Sequence, residues 1–366
     1  MDTLSSGRLL EGLKVLDLSQ FIPGPYATRL LSDQGAEVIK VEPPLGDPMR
    51  FLLFDGDGAP SPVYQTLNRG KRILCLDLKS EHGRQTLLGL ARSADVMLES
   101  FRPGVMARLG LDWHTMNEFN PALIYCSLTG YGQQGCYRNR AGHDINYFAV
   151  AGMFSPTQLK VKPALTFPPI ADHTGAMLAA HTILSALFAR SRDGSGHYLD
   201  VSIYESILAF RYLSNLSATP GDLGLVDYLG GNAACYNIYE TADKRFITLG
   251  AVEPKFWLIF CDIMGKPNWV GRQQDPFPQR NLIKEVQTLF SRQPLAHWNS
   301  LLLEVECCYQ PVPLDHQVLQ HPQTVDRQLV TENDIRYPAW IDGQPVEAPV
   351  PLEQLDPTTS PGWLSS

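Results

Sequence analysis

The chain has 366 residues, 44% of them hydrophobic, and a formal net charge of −8. That length and apolar content fit two ordinary domains with real cores. The acidic balance excludes general attraction to nucleic acid or an anionic membrane, so a polyanionic ligand must be held by a local group of Lys and Arg.

The first segment, MDTLSSGRLLEG, lacks the basic-then-apolar build of a signal peptide. KVLDLS (14–19) reads as a short strand. PGPYATRLLSDQG reads as a helix with Pro25 near its first position and Gly35 as its stop. AEVIKVE (36–42) and RILCLDLKS (72–80) are strands, EHGRQTLLGLARSA (81–94) a helix, and DVMLES (95–100) and LIYCSLTG (123–130) strands again. Strand–helix alternation predicts a parallel sheet covered on both faces, with a ligand at the carboxyl ends of the strands. The turn after the first strand is Ile22-Pro23-Gly24-Pro25 rather than G-x-G-x-x-G, which disfavours a dinucleotide.

Residues 174–191, TGAMLAAHTILSALFARS, form the strongest helical stretch, with Thr174 as N-cap and Asp172 two residues ahead of it. The longest apolar run, Gly175 to Ala189, is short and contains His181, so it predicts a core helix and no membrane span. SATPGDLGLVDYLGGN is a Gly/Pro-rich connector. Beyond it RFITLGAV (245–252) reads as a strand, EPKFWLIFCDIMG (253–265) as a helix and 281–304 as further helix. The expected organisation is α/β: a large Rossmann-like domain over 1–215, a smaller α+β domain over 225–325, and a Pro-rich C-terminal strap over 326–366 that returns to the large domain.

Seven scattered cysteines with no C-x-x-C pair suggest neither a disulfide framework nor a zinc site, and fit a reducing cytoplasm. No metal-ligand spacing and no G-x-S-x-G occur. Two groups carry the chemical signal. His143, in AGHDINY after a Gly/Arg-rich loop, and Asp172 both fall where strand–helix units end. Two bases on two loops of one sheet edge suit a reaction in which one removes a proton and the other returns it. Against this stand a histidine that caps a turn and an aspartate held by a helix start. The basic residues Arg69, Lys71, Arg72, Lys79, Arg102 and Arg108 cluster near strand ends, which as a set suits a polyphosphate; for any one of them singly a solvated charge is the better reading.

LEGLKVLDLSQFIPGPYATRLLSDQGAEVIKVEPPLGD, NRGKRILCLDLKS, FRPGVMARLGL and SLTGYGQ together resemble the family III CoA-transferase and α-methylacyl-CoA racemase superfamily, over about residues 10 to 325. The resemblance implies an interlocked homodimer and a coenzyme A thioester as substrate, with no prosthetic group. In its transferase branch the aspartate at the position of Asp172 is a nucleophile that forms an acyl anhydride. In its racemase branch that aspartate is an acid/base whose partner is the histidine of GHDINY, here intact at 142–147. YETADK, with Glu240, and GAVEPKFW also resemble the racemases, whereas LGGNAACYNIY departs from them.

The favoured implication is therefore an α-methylacyl-CoA racemase. His143 and Asp172 would serve opposite faces of the α-carbon, the Asp144 amide would face the enolate oxygen, and Glu240 would orient the imidazole. Arg108, the surest by motif position, would meet the phospho-ADP end of CoA with Arg102 and some of Arg69, Lys71, Arg72 and Lys79, and Tyr147 would line the CoA side. The alternative is a CoA-transferase working through Asp172.

Overall fold

Short runs of buried residues flanked by helix signals produce the central sheet. Strands β1 (Lys14–Leu18), β2 (Glu37–Glu42), β3 (Lys71–Cys75), β4 (Val96–Glu99), β5 (Ile124–Thr129) and β6 (His197–Ser202) are all parallel. They are ordered β3-β2-β1-β4-β5-β6, with the edge strand Glu353–Gln354 added beside β3. Val15, Leu16, Ile39, Met97 and Ile124 are wholly buried, as expected for strands covered on both faces. The order reverses direction between β1 and β4, which opens a crevice at their carboxyl ends. RILCLDLKS gives up its strand at Cys75, sooner than the apolar pattern suggests, and Ser80 then caps the next helix through Gly83 N–H.

The computed structural model describes residues 8–54, 56, 58–154, 165–213, 224–331, 334–348, 350–355 and 363. The chain divides into two units: Met1–Met153 with Ala164–Ala209 and Pro322–Ser366, and Phe154–Pro163 with Phe210–His321. Among the described residues no helix is long and apolar enough to cross a membrane.

Helices of the first unit place the chemistry. Helix α1 (Pro23–Ser32) opens on Pro23, two residues before the expected Pro25, and Gly35 follows its end at a φ of 98°. Proline suits this place because its missing N–H would have no partner in a first turn. The short helix α2 (Asp144–Val150) begins directly after His143. The long helix α3 (Ile170–Asp193) starts at Ile170, and Thr174 is inside it rather than at its cap. Thr174 Oγ1 instead donates to Ile170 O at 2.6 Å. Asp172 consequently lies in the first turn of α3. Ala171, Gly175, Ala179 and Ile183 recur at four-residue spacing on its buried side, and at Gly175 a Cβ would sit 2.9 Å from Ile203.

Charges are buried under the same sheet. Asp17, Lys40 and Lys71 are all withdrawn from solvent. Lys71 Nζ donates to Asp17 Oδ2 at 3.0 Å, to Asn68 Oδ1 at 3.0 Å and to Pro25 O at 2.9 Å, while Lys40 Nζ reaches Ser19 O at 2.6 Å and Asp47 at 3.0 Å. Burial alone would raise the Asp17 carboxyl; Lys71, Lys40 and the hydroxyls of Ser19 and Thr28 hold it far below the ordinary range.

The C-terminal residues close the β3 edge. Glu353–Gln354 pairs parallel with β3, and Trp363 joins the core beside Leu90 and Met97, its Nε1 donating to Glu37 at 2.9 Å.

In the second unit, strands β7 (Tyr236–Glu240), β8 (Phe246–Gly250) and β9 (Tyr309–Pro311) form an antiparallel sheet in that order. The helices Pro254–Ile263, Arg280–Phe290 and Leu295–Leu302 belong to the same unit, and its core holds Trp257, Phe260, Phe290 and Trp298. The expected helix over 281–304 is broken at Ser291–Pro294. Trp298 Nε1 closes that corner by donating to Phe290 O and Gln293 O.

Candidate active site

A cleft of about 510 Å³ lies in the first unit at the reversal point of the sheet. Gln20 and Phe21 enter it after β1, Ser100, Phe101 and Arg102 after β4, and Thr129, Gly130 and Tyr131 at the end of β5. His143, Tyr147 and Asp172 line the same cleft. The two residues singled out as bases, 29 positions apart in sequence, are thus brought to one cavity.

The turn AGHDINY has a local reason for each polar residue. His143 precedes α2, and its N–H donates to Asn146 Oδ1 at 3.0 Å. Its ring meets Phe21 edge-on at 6.1 Å. Tyr147 folds back so that its hydroxyl donates to Gly142 O at 2.6 Å. The ring lies so close that a Cβ at Gly130 or Gly142 would sit 2.5 Å or 2.8 Å from it, so both positions require glycine. Tyr147 is therefore both a cleft wall and the clamp that shapes the histidine turn.

The Asp144 side chain has a part that the sequence reading did not give it. Its Oδ1 accepts from the Asp172 N–H at 3.0 Å, so its carboxylate caps the start of α3 and fixes the backbone of Asp172. Burial, and then the nearby Asp144 charge, push Asp172 up to about 7. That is where a histidine ordinarily titrates. His173, the adjacent residue, turns its Nδ1 to Pro169 O at 2.6 Å and stacks edge-on with Tyr26.

The expected phosphate cluster is divided by the fold. Lys71 is wholly buried and taken up by Asp17. Arg69 is also buried, in ion pairs with Asp33 and Asp334, and donates to Ile335 O at 2.9 Å. Arg72 is at the opposite, amino-terminal end of the sheet, with Glu37 at 3.7 Å and Trp363 beneath its guanidinium. These three are corrected from ligand candidates to structural cations: each occurs at or just before the start of β3, whereas ligands meet the ends of strands. Lys79 is exposed on the loop after β3, Arg108 is exposed on the short helix Val105–Leu109 after β4, and Arg102 lines the cleft.

Sequence reasoning did not single out two further arginines of the cleft. Arg138 and Arg140 line the cavity from the loop between β5 and α2, and with Arg102 they pair with no carboxylate among the described residues. The Gly/Arg-rich character of that loop was the available signal. Glu99, the last residue of β4, lines a neighbouring cavity and not this cleft. It is buried, accepts from Phe101 N–H at 2.8 Å, and burial pushes it up to about 7 against the opposing pull of that N–H and Ser127. Glu240 lies on β7 in the second unit, where it pairs with Lys244 at 3.1 Å.

The CoA-transferase family III model matches residues 10–357. The chain belongs to this family. This family III chain is 33% identical over 327 residues to an α-methylacyl-CoA racemase from Homo sapiens, covering 87% of this chain and 81% of the relative. It is 31% identical over 335 residues to an acetyl-CoA:oxalate CoA-transferase from Acetobacter aceti, covering 88% and 85%. The crystal structure of Rv3272 from Mycobacterium tuberculosis superposes with a TM-score of 0.84 at 28% identity, over 97% of this chain and 99% of the other. The chain is an enzyme of the family III CoA-transferase and racemase group.

Proposed function

We propose that this enzyme is an α-methylacyl-CoA racemase, interconverting (2R)- and (2S)-2-methylacyl-CoA by a 1,1-proton transfer. The observation that carries the reading is the presence of His143 and Asp172 in one cleft, with the carboxyl of Asp172 raised to about 7. A carboxylic acid at neutral pH normally gives up its proton too readily to return one. Raised to about 7, Asp172 both accepts and donates, which a reversible transfer requires. One residue takes the α-proton from its face, the thioester oxygen takes up the enolate charge, and the other residue protonates the opposite face. The first N–H of α2, that of Asp144, has no intrahelical acceptor and is assigned to the enolate oxygen. Arg102 and Arg108 are assigned to the phosphates of CoA, whose distant binding fixes the reacting carbon. The coenzyme A thioester is the substrate and no prosthetic group enters the reaction.

In D₂O, a single enantiomer of a 2-methylacyl-CoA should gain deuterium at C2 and lose optical purity, with the thioester intact and no acceptor acid added. Absence of exchange, with acyl transfer to an added acid and hydroxylamine trapping at Asp172, defeats this reading in favour of the second one. That second reading is a family III CoA-transferase in which the Asp172 carboxylate attacks the thioester and forms an acyl anhydride. The named CoA-transferases among the relatives favour it.

The reading includes a homodimer. Light scattering at micromolar concentration should give twice the chain mass of 40.7 kDa, and a folded monomer there would defeat it.

A further inference from the structure

We infer that the acyl chain of the substrate carries a negative charge of its own, a carboxylate, received by Arg138 and Arg140. The inference rests on the reading of the cleft as an acyl-CoA site with its reacting carbon at His143 and Asp172.

The exposed cations that follow β3, β4 and β5 fall into two groups by position in the chain. Lys79, Arg102 and Arg108 follow β3 and β4. Arg138 and Arg140 follow β5 and stand five and three residues before His143. The second group is tied to the wall that holds the histidine. The Arg140 guanidinium lies over the Tyr137 ring at 3.9 Å, Tyr137 meets Tyr131 edge-on at 5.4 Å, and Tyr131 meets Tyr147 edge-on at 5.1 Å. Tyr147 in turn holds Gly142, the neighbour of His143. Whatever lies against this loop is therefore close to the reacting carbon.

A CoA thioester has nothing anionic there. Its phosphates are a whole pantetheine arm away from the thioester, and the arm itself is uncharged. The acyl group is the one part of the substrate that can bring an anion to this wall. The cleft's own charge agrees: with Arg102 set aside for CoA, its lining still holds two arginines against a single carboxyl, that of Asp172. In a chain of net charge −8, such a local excess is a field that gathers an anion. A guanidinium recognises a carboxylate with two parallel hydrogen bonds, and a rigid stacked arginine loses little freedom in making them.

The test uses two CoA thioesters of 2-methylbutanedioic acid esterified at C1, one with a free C4 carboxylate and one with C4 as the primary amide. Affinity is read by calorimetry and turnover by deuterium exchange at C2. The wild type should prefer the acid by on the order of 10²-fold in kcat/KM and in affinity. In Arg138→Gln/Arg140→Gln that preference should collapse to near unity. Arg108→Ala should weaken both thioesters by the same factor, because it is assigned to the nucleotide end. Equal or better use of the amide by the wild type overturns the inference, as does a preference that survives the double substitution. A double variant that weakens acid and amide alike also overturns it, since the arginines would then be holding CoA itself. If neither thioester exchanges, yet the acid binds more tightly through these two arginines, the racemase reading fails and the inference stands.

Discussion

Asp172→Asn should lower C2 proton exchange by about 10²–10⁴-fold, the usual contribution of a positioned acid/base. The amide has the size and polar character of the acid but neither accepts nor returns the α-proton. His143→Ala should cause a loss of the same order, and combining the two should cost less than the product of the single effects, since both residues serve one transfer. Near-normal exchange in either single variant would remove that residue from the chemistry.

Asp172→Asn also carries a stability signature of opposite sign. The folded protein holds the Asp172 proton up to about pH 7, against 3.8 for the free group. A raised carboxyl favours the folded state at low pH and progressively loses that contribution as pH rises from about 4 through 7. Asparagine cannot ionise, so the variant should match the wild type near pH 4 and exceed it above pH 7. The gain is on the order of 2–4 kcal/mol, since each tenfold change in proton affinity on folding is worth about 1.4 kcal/mol. Urea unfolding at pH 4.5 and pH 8 measures it. A wild type that outlasts the variant at pH 8 would show that the carboxyl is not penalised where it sits. The residue that the chemistry needs is thus expected to cost the fold stability.

Lys71→Met should destabilise the first unit by about 3–5 kcal/mol, because it leaves Asp17 charged and deprived of its principal buried partner. Asn68 and Pro25 lose their bond to Lys71 in the same change. Asp17→Asn/Lys71→Met removes both charges and should recover a large part of the loss, since an apolar replacement of a complete buried pair is often neutral. Chemical denaturation of the two variants gives the comparison. A single variant with an unchanged midpoint would mean that Lys40 alone suffices for Asp17, which it touches only through Ser19.

The order of elements was legible in the sequence because it is local. Buried strands require short apolar runs, and Pro23, Gly35 and Ser80 punctuate them through their own backbone preferences or side-chain caps. GHDINY and the aspartate of PPIADHT were legible as a motif pair for the same reason, since Gly142, Asn146 and Tyr147 form their contacts within a few residues.

What sequence left open was which cations are free. Lys71 and Arg108 look alike as letters near strand ends, yet one threads under the sheet to Asp17, 54 positions away, and the other faces solvent. Arg69 is taken by Asp334, far along the chain in the C-terminal segment. The helix that carries Asp172 starts four residues before Thr174 because its cap comes from Asp144, 28 residues upstream of Asp172. The chain order by itself determined the strands, the order of the helices and the choice of His143 and Asp172 as candidate bases. Tertiary structure alone decided that these two candidates share a cleft, that burial and Asp144 raise the carboxyl of one, and that Arg102, Arg138 and Arg140 pair with no carboxylate among the described residues, because pairing and desolvation depend on what lies near in space.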